Sequence, residues 1–399
     1  MAKERALPPI WLMGMGFIPL GVSGGIALYT TPTLLAAQHV PEAAIAGVTS
    51  LALVPGFATF VLAPLIDWRF SRRTYAIAST LITGVCQFTA LLFLHNLAWL
   101  SWVLFVGMIG SAMATTAVGG WFSNLTSTEG KSGLGAWFTV ANIGFGGLTT
   151  MIAVPLLRDL PFVVGDAILS AMVLLPIPLF LWIPCPPADY KLAHESFGAF
   201  ARDIVKLLRK PSVLWTLPLF LAPSASFALT NTLSGFGRDF ATSDRLIGVL
   251  TGIGSATAGV FGSLVVPKLA QRINPRPLYL LVGGVGAVFT LIMLLLPRDS
   301  TTFGLAVLGE NGFQAAAFTV CNIITLRTIG QDNPLAATQF GLLIAASQLP
   351  LIYMQEIDGH AYGFGGVSGT FIADAAVSGV ACALLGLGLW LWRRRIPAI

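Results

Sequence analysis

Residues 51–73 read LALVPGFATFVLAPLIDWRFSRR. From Leu51 to Ile66 the chain carries no charge, and then Asp67, Arg69, Arg72 and Arg73 arrive almost together. About 20 apolar residues in a helix cross a ~30 Å hydrocarbon layer. A sudden basic cluster after such a run marks the edge at which the helix meets water on the cytoplasmic side. The pattern repeats in both directions along the chain, for instance over Leu278 to Pro297. Of the 399 residues 55% are hydrophobic and 10% charged, where a soluble domain carries about 25% charged residues. So few charges cannot cover a water-exposed surface, which excludes an ordinary soluble enzyme or binding domain.

Spans are expected at about 9–36, 43–66, 74–94, 97–118, 133–157, 162–184, 212–234, 245–269, 277–297, 301–326, 335–356 and 366–392. Internal Pro and Gly do not argue against helix, because lipid offers the backbone no better partner than its own hydrogen bonds. The start, MAKERALPPIWLMG, reads as the first membrane helix and not as a removed signal peptide.

With a cytoplasmic N-terminus, all basic residues except Arg158, Arg238, Arg245 and Arg298 fall on the cytoplasmic side. That side includes Lys3, Arg5, Lys191 and Arg393 to Arg395. The bias places both termini in the cytoplasm and requires an even number of spans. The net charge of +5 is thus a topology signal, and no nucleic-acid partner is expected.

Cys86, Cys185, Cys321 and Cys382 are scattered, and His39, His95, His194 and His360 make no ligand spacing. Neither a metal nor a cofactor is expected. No Walker loop or Ser-His-Asp set is visible, so neither an ATP-driven pump nor an enzyme is expected. In the long polar stretch Pro184 to Pro211, the segment Ala199 to Lys210 is amphipathic, with Phe200, Ile204, Leu207 and Leu208 on one face. It reads as a tether between two halves that can also lie on the membrane surface.

The halves echo each other. Pro64-Leu-Ile-Asp67-Trp-Arg69-Phe-Ser-Arg72-Arg73 aligns without a gap on Pro267-Lys-Leu-Ala270-Gln-Arg272-Ile-Asn-Pro-Arg276. Parallel repetition of six spans resembles the major facilitator transporters. The resemblance implies an all-α membrane protein with a twelve-helix fold of two pseudo-symmetric six-helix bundles, at 1–184 and 212–399, joined by a cytoplasmic linker at 185–211. The first loop resembles that superfamily's motif between helices 2 and 3, which assigns a gating role to Asp67, Arg69, Arg72 and Arg73. A carboxylate at the cytoplasmic end can accept from the exposed donors of a neighbouring helix start, and such contacts hold one gating state and break in the other. The second loop has Ala270 in place of the acid, so the latch is expected to be asymmetric.

A narrower resemblance is to the AmpG-type permeases, the peptide and acetyl-CoA transporter group. It rests on Ala337-Thr338-Gln339-Phe340-Gly-Leu342-Leu343, on Gly309-Glu310-Asn311-Gly312 with Phe318 and Cys321, and on Ala63-Pro64-Leu65-Ile66-Asp67. It adds Gln339 to the gating residues. It implies import of a medium-sized organic solute, either a muropeptide or a siderophore. Short loops and the lack of targeting extensions lead to the expectation of a bacterial inner membrane, and a monomer with protons as the second partner is expected. An exporter of drug-like compounds, and a non-transporting sensor or scaffold, stay open as alternatives.

Glu310 is the expected proton-coupling residue. It falls near the middle of its span, where a charge costs on the order of 3 kcal/mol and burial favours the neutral acid. The bland alternative is a neutral glutamate packed between helices. The superfamily resemblance implies that helices 1, 4, 7 and 10 line the solute path. That makes Tyr29, Thr30, Thr115, Thr116, Phe227, Asn231, Ser234, Asn311, Gln314 and Asn322 the candidate substrate contacts. Polar side chains of this kind also serve as glue between membrane helices.

Overall fold

The computed structural model describes residues 7–186, Asp189 and 197–395. Lys3, Arg5, Lys191 and His194 lie outside the described residues, as do the side chains of Phe200 and Arg393 to Arg395. Every element among the described residues is helical. The first six spans are α1 (Ile10–Ala37), α2 (Glu42–Ile66), α3 (Arg72–Leu92), α4 (Leu97–Leu125), α5 (Gly130–Asp159) and α6 (Phe162–Trp182). A linker helix, Phe197–Leu208, follows.

The next span, α7, begins as Pro211–Leu221 and continues as short 3-10 turns, Pro223–Ala225, Ala228–Asn231 and Leu233–Phe240. Then come α8 (Asp244–Arg272), α9 (Pro275–Met293) and α10 (Ser300–Ile329). The run Ala336–Arg395 holds α11 (336–365) and α12 (367–395), which meet at Gly366 with φ 56° and ψ −150°. Only glycine adopts that backbone without strain. Thr370 Oγ1 donates to the carbonyl of Asp358 across the turn at 3.2 Å.

The expected unbroken span at 212–234 is therefore corrected. Pro218 and Pro223 each remove a backbone donor, and Phe227 takes a left-handed conformation with φ 50°. The ladder runs past Pro218 as far as Leu221 and breaks at Pro223 and Phe227. A milder device occurs in α1, where Ile26–Thr30 widens into a π-turn just before Pro32. There the Thr30 hydroxyl donates to the Gly25 carbonyl at 3.0 Å.

The chain divides into two compact units, one of Met1–Val213 with Thr325–Ala345 and the other of Leu214–Ile324 with Ala346–Ile399. In the first, α1 packs on α5 through a stripe of glycines. A Cβ on Gly14 would meet Trp137, one on Gly21 the Asn142 carbonyl oxygen at 2.3 Å, and one on Gly25 Thr149. Backbones approach this closely only where side chains are absent. Phe17, Trp121, Phe122, Phe138 and Phe180 fill the interior, with Phe17 stacked on Phe138 at 3.9 Å. The buried Trp121 indole donates to the Pro184 carbonyl at 2.9 Å.

In the second unit, Gly262 of α8 sits against the Gly312 carbonyl of α10, and Gly283 of α9 against the Ser224 carbonyl in the α7 break. Large apolar side chains such as Val61, Val85, Phe261 and Leu384 stay exposed, as expected of surfaces that face lipid.

Candidate functional site

Asp67 lies at the C-terminal end of α2, and Arg72 opens α3. Both are buried. The Arg72 guanidinium donates from Nε to Asp67 Oδ1 at 2.8 Å, from Nη1 to Asp189 Oδ1 at 2.6 Å, and from Nη2 to the Pro334 carbonyl at 2.7 Å and the Asn333 carbonyl at 3.2 Å. Asp67 in turn caps the start of α11. Its oxygens accept from Ala337 N at 3.1 Å and from Thr338 N and Oγ1, both at 2.7 Å. These are charge-assisted bonds at a helix N-terminus, where a carboxylate is favoured.

The loop that leads into α11 is held from several sides. Asn124 accepts from Asn333 N and donates to its carbonyl, both at 3.1 Å, and the Lys131 ammonium donates to the Gly330 carbonyl at 2.7 Å. Gln339 accepts from Asn333 Nδ2 at 2.9 Å and donates to the Thr328 carbonyl at 3.0 Å. Arg327 Nη2 reaches the Ser132 hydroxyl at 2.8 Å.

The second unit holds a group of buried carboxyls. Glu310 on α10 is 1% exposed. Its Oε1 pairs with the Thr290 hydroxyl of α9, while Oε2 has no partner. The Thr290 hydroxyl also reaches the Gly286 carbonyl, at 3.1 Å. One hydroxyl hydrogen cannot serve both acceptors, so the pair accommodates either a carboxylate or a carboxylic acid at Glu310. Asp358 on α11 and Asp374 on α12 are also buried. One turn along α10 from Glu310, Gln314 donates from Nε2 to the Phe227 carbonyl at 3.2 Å and to the Thr230 hydroxyl. It thereby satisfies groups that the α7 break leaves without helix partners.

The sequence matches the family described as Major Facilitator Superfamily over residues 11–354. The chain belongs to that superfamily. Its members are transporters, and this one is a multi-pass membrane protein. No curated protein sequence matches it. The fold is similar to that of the proton:xylose symporter XylE, with a TM-score of 0.70, 12% identity, and 97% of this chain and 94% of that one covered. It is also similar to the human organic anion transporter TETRAN (0.68, 18%, 95% and 100%) and to the E. coli fucose:proton symporter FucP (0.66, 16%, 94% and 98%).

Within this major facilitator chain the other candidate residues scatter. Tyr29, Asn231 and Ser234 are exposed. Thr30, Thr115, Thr116, Phe227 and Asn322 are buried. Thr115 turns its hydroxyl onto the Ser111 and Ala112 carbonyls, and Asn311 donates to the Val307 carbonyl at 2.8 Å, so both serve their own helices. Phe227 stacks on Phe313 with centroids 6.0 Å apart. Of the loop arginines, Arg69 is exposed over the Trp68 ring and Arg73 is half-buried. In the second half Ala270 is buried, and Arg276 reaches the Thr216 hydroxyl at 3.2 Å.

Sequence reading missed Asp189, Asn124, Asn333 and Asp358. Nothing local in the sequence marks any of the four.

Two measurements bear on the latch. A Cβ on Gly120 would lie 2.5 Å from Ala337 N, the atom that donates to Asp67. Gly120→Ala is therefore expected to push the α11 start off α4 and cost about 1–3 kcal/mol. Gly24→Ala, with nothing within 4 Å of the added carbon, serves as the near-neutral control. Equal unfolding midpoints for the two variants would contradict this close contact.

Burial pushes the Asp189 carboxyl up from 3.8 to about 6, against the pull of Arg72. The docked carboxyl then binds its proton more tightly than the solvated one. Its contribution to stability grows as pH falls from about 6 toward 3.8 and is absent above that window. Asp189→Asn is expected to flatten this part of the pH dependence of the unfolding midpoint, and an unchanged slope would rule the assignment out.

Proposed function

We propose that the protein is a proton-coupled importer that moves a medium-sized organic solute, muropeptide-like or siderophore-like, across a bacterial inner membrane by alternating access. Its termini are cytoplasmic. Its functional halves are the six-span bundles 1–184 and 212–399, with 185–211 as linker. The observation that carries the coupling is Glu310, a buried acid midway along α10 whose one partner atom is a hydroxyl able to donate or accept. A membrane helix keeps such a group at a cost that packing alone does not require. Two of the similar folds are symporters that use protons by name, which agrees with this reading. Asp67, Arg72 and Gln339 act as the latch of one gating state, with Arg69 and Arg73 on its rim.

The test is accumulation in proteoliposomes under an imposed pH gradient, with one muropeptide and one ferric siderophore as probes. Uphill uptake of either that collapses with a protonophore supports the proposal. Extrusion of the probe marks an exporter, and no movement of either probe marks a sensor or scaffold.

A further inference from the structure

The half of α11 nearer Gly366 has two unlike faces. Met354 and Asp358 are buried. Ile352, Gln355, Glu356, Gly359 and His360 recur every three or four positions along the other face and line one groove of about 370 Å³. Glu356 and His360 lie about 15 Å and about 9 Å along the helix from the Gly366 turn. The positive-inside bias makes that turn the outer end. A Cβ on Gly359 would meet nothing within 4 Å, so the groove is open there. Glu356 and His360 are exposed, and no Lys or Arg among the described residues makes an ion pair with Glu356. A carboxylate with no cation beside it is costly against hydrocarbon, so this face meets water.

The groove presents mostly acceptors. His360 Nδ1 lies 2.8 Å from the Glu356 carbonyl oxygen. A carbonyl only accepts, so Nδ1 carries the hydrogen and the neutral ring presents Nε2 as an acceptor. Glu356 adds two carboxylate oxygens and Gln355 an amide oxygen. One turn beyond Gly359, Tyr362 stacks on Phe236 with centroids 5.1 Å apart and donates to Asp239 at 3.1 Å, which brings a second carboxylate to this end of the unit. Acceptors of this kind suit a ligand that is positively charged and has only donors. A primary ammonium has three N–H donors and no acceptor. A bare metal ion fits less well, because no three His, Cys, Asp or Glu side chains among the described residues gather into a ligand set. We propose that the α11 groove recognises a primary ammonium group of the transported solute, held by Glu356, His360 Nε2 and Gln355 Oε1. The site rests on the importer reading and narrows it to solutes with a free amine, such as a muropeptide whose diamino acid keeps one. The open side at Gly359 leaves room for the chain that carries the amine.

Gly359→Cys puts a thiol in the groove without a clash. Its reaction is followed in the full-length protein in lipid nanodiscs, with methanethiosulfonate reagents that carry either an ethylammonium or an ethylsulfonate group. The wild type, with Cys86, Cys185, Cys321 and Cys382, gives the background. Both reagents should react, because the attacking species is the thiolate, which forms where the thiol meets water. The ammonium reagent should be preferred, and adding Glu356→Gln should lower that preference about fivefold, the effect of one nearby charge in water. An amine-bearing muropeptide should slow the labelling, and the same compound acetylated on its amine should need about tenfold more to do so. Adding His360→Ala should raise the amount of the amine-bearing compound required about fivefold. No reaction with either reagent, an unchanged preference after Glu356→Gln, or protection that does not depend on the free amine would overturn the site. If Gly359→Cys does not fold, Ile352→Cys takes its place, since Ile352 is exposed in the same groove. Labelling requires no gradient, so it separates the two ideas. Amine-selective protection without gradient-driven accumulation would remove the importer reading alone, and accumulation without amine-selective protection would remove the ammonium site alone.

Discussion

Replacing Arg72 with alanine is expected to cost about 3–5 kcal/mol, the usual penalty when one member of a buried ion pair is removed and its partners keep their charge. The residue is 1% exposed. Its guanidinium joins Asp67 at the end of α2, Asp189 of the linker, and two carbonyls of the loop before α11. Without it the carboxyls of Asp67 and Asp189 lose the cation between them, and the loop before α11 loses the donor to its Asn333 and Pro334 carbonyls. Arg72→Lys should recover little, because an ammonium cannot reproduce the planar fork that reaches three segments at once. Arg69→Ala, at an exposed position, should change stability by less than about 0.5 kcal/mol. Thermal unfolding followed by tryptophan fluorescence checks the series, since Trp121 is fully buried in the same unit. Equal losses for the Arg72 and Arg69 variants would end the case for a latch centred on Arg72.

Glu310→Gln is expected to abolish uphill accumulation while leaving exchange of solute for solute intact. One pH unit of gradient is worth about 1.36 kcal/mol, or about tenfold accumulation for a single proton per solute. The variant should fall from that ratio to unity. Glutamine keeps the volume and can still hydrogen-bond Thr290, so the packing at Glu310 survives and only the exchangeable proton is lost. Counterflow measured with whichever probe the wild type accumulates distinguishes loss of coupling from loss of folding. Wild-type accumulation by Glu310→Gln would show that the acid only packs.

The amino-acid sequence alone determined that the chain crosses a membrane many times and is built from two related halves. Both follow from local chemistry. An uncharged apolar run of about 20 residues has no stable place except lipid, and the gapless match of Pro64 to Arg73 on Pro267 to Arg276 is visible by inspection. The prominence of Asp67, Arg72 and Glu310 was legible for the same reason, since a charge inside or beside such a run is costly and stands out.

The partners of those charges were not legible. Arg72 and Asp189 are 117 positions apart, and Asp67 and Thr338 are 271 apart. Asp358 reads as a loop residue until α11 is seen to run on as helix up to Gly366. The break in α7 was hidden because Pro and Gly are tolerated in membrane helices. Which proline interrupts a helix depends on whether a neighbour, here Gln314, can take over the freed backbone groups. Solvation is a property of a segment and can be read along the chain. Hydrogen-bond satisfaction in a buried site is a property of whatever the fold brings next to it, and only the tertiary structure decided that.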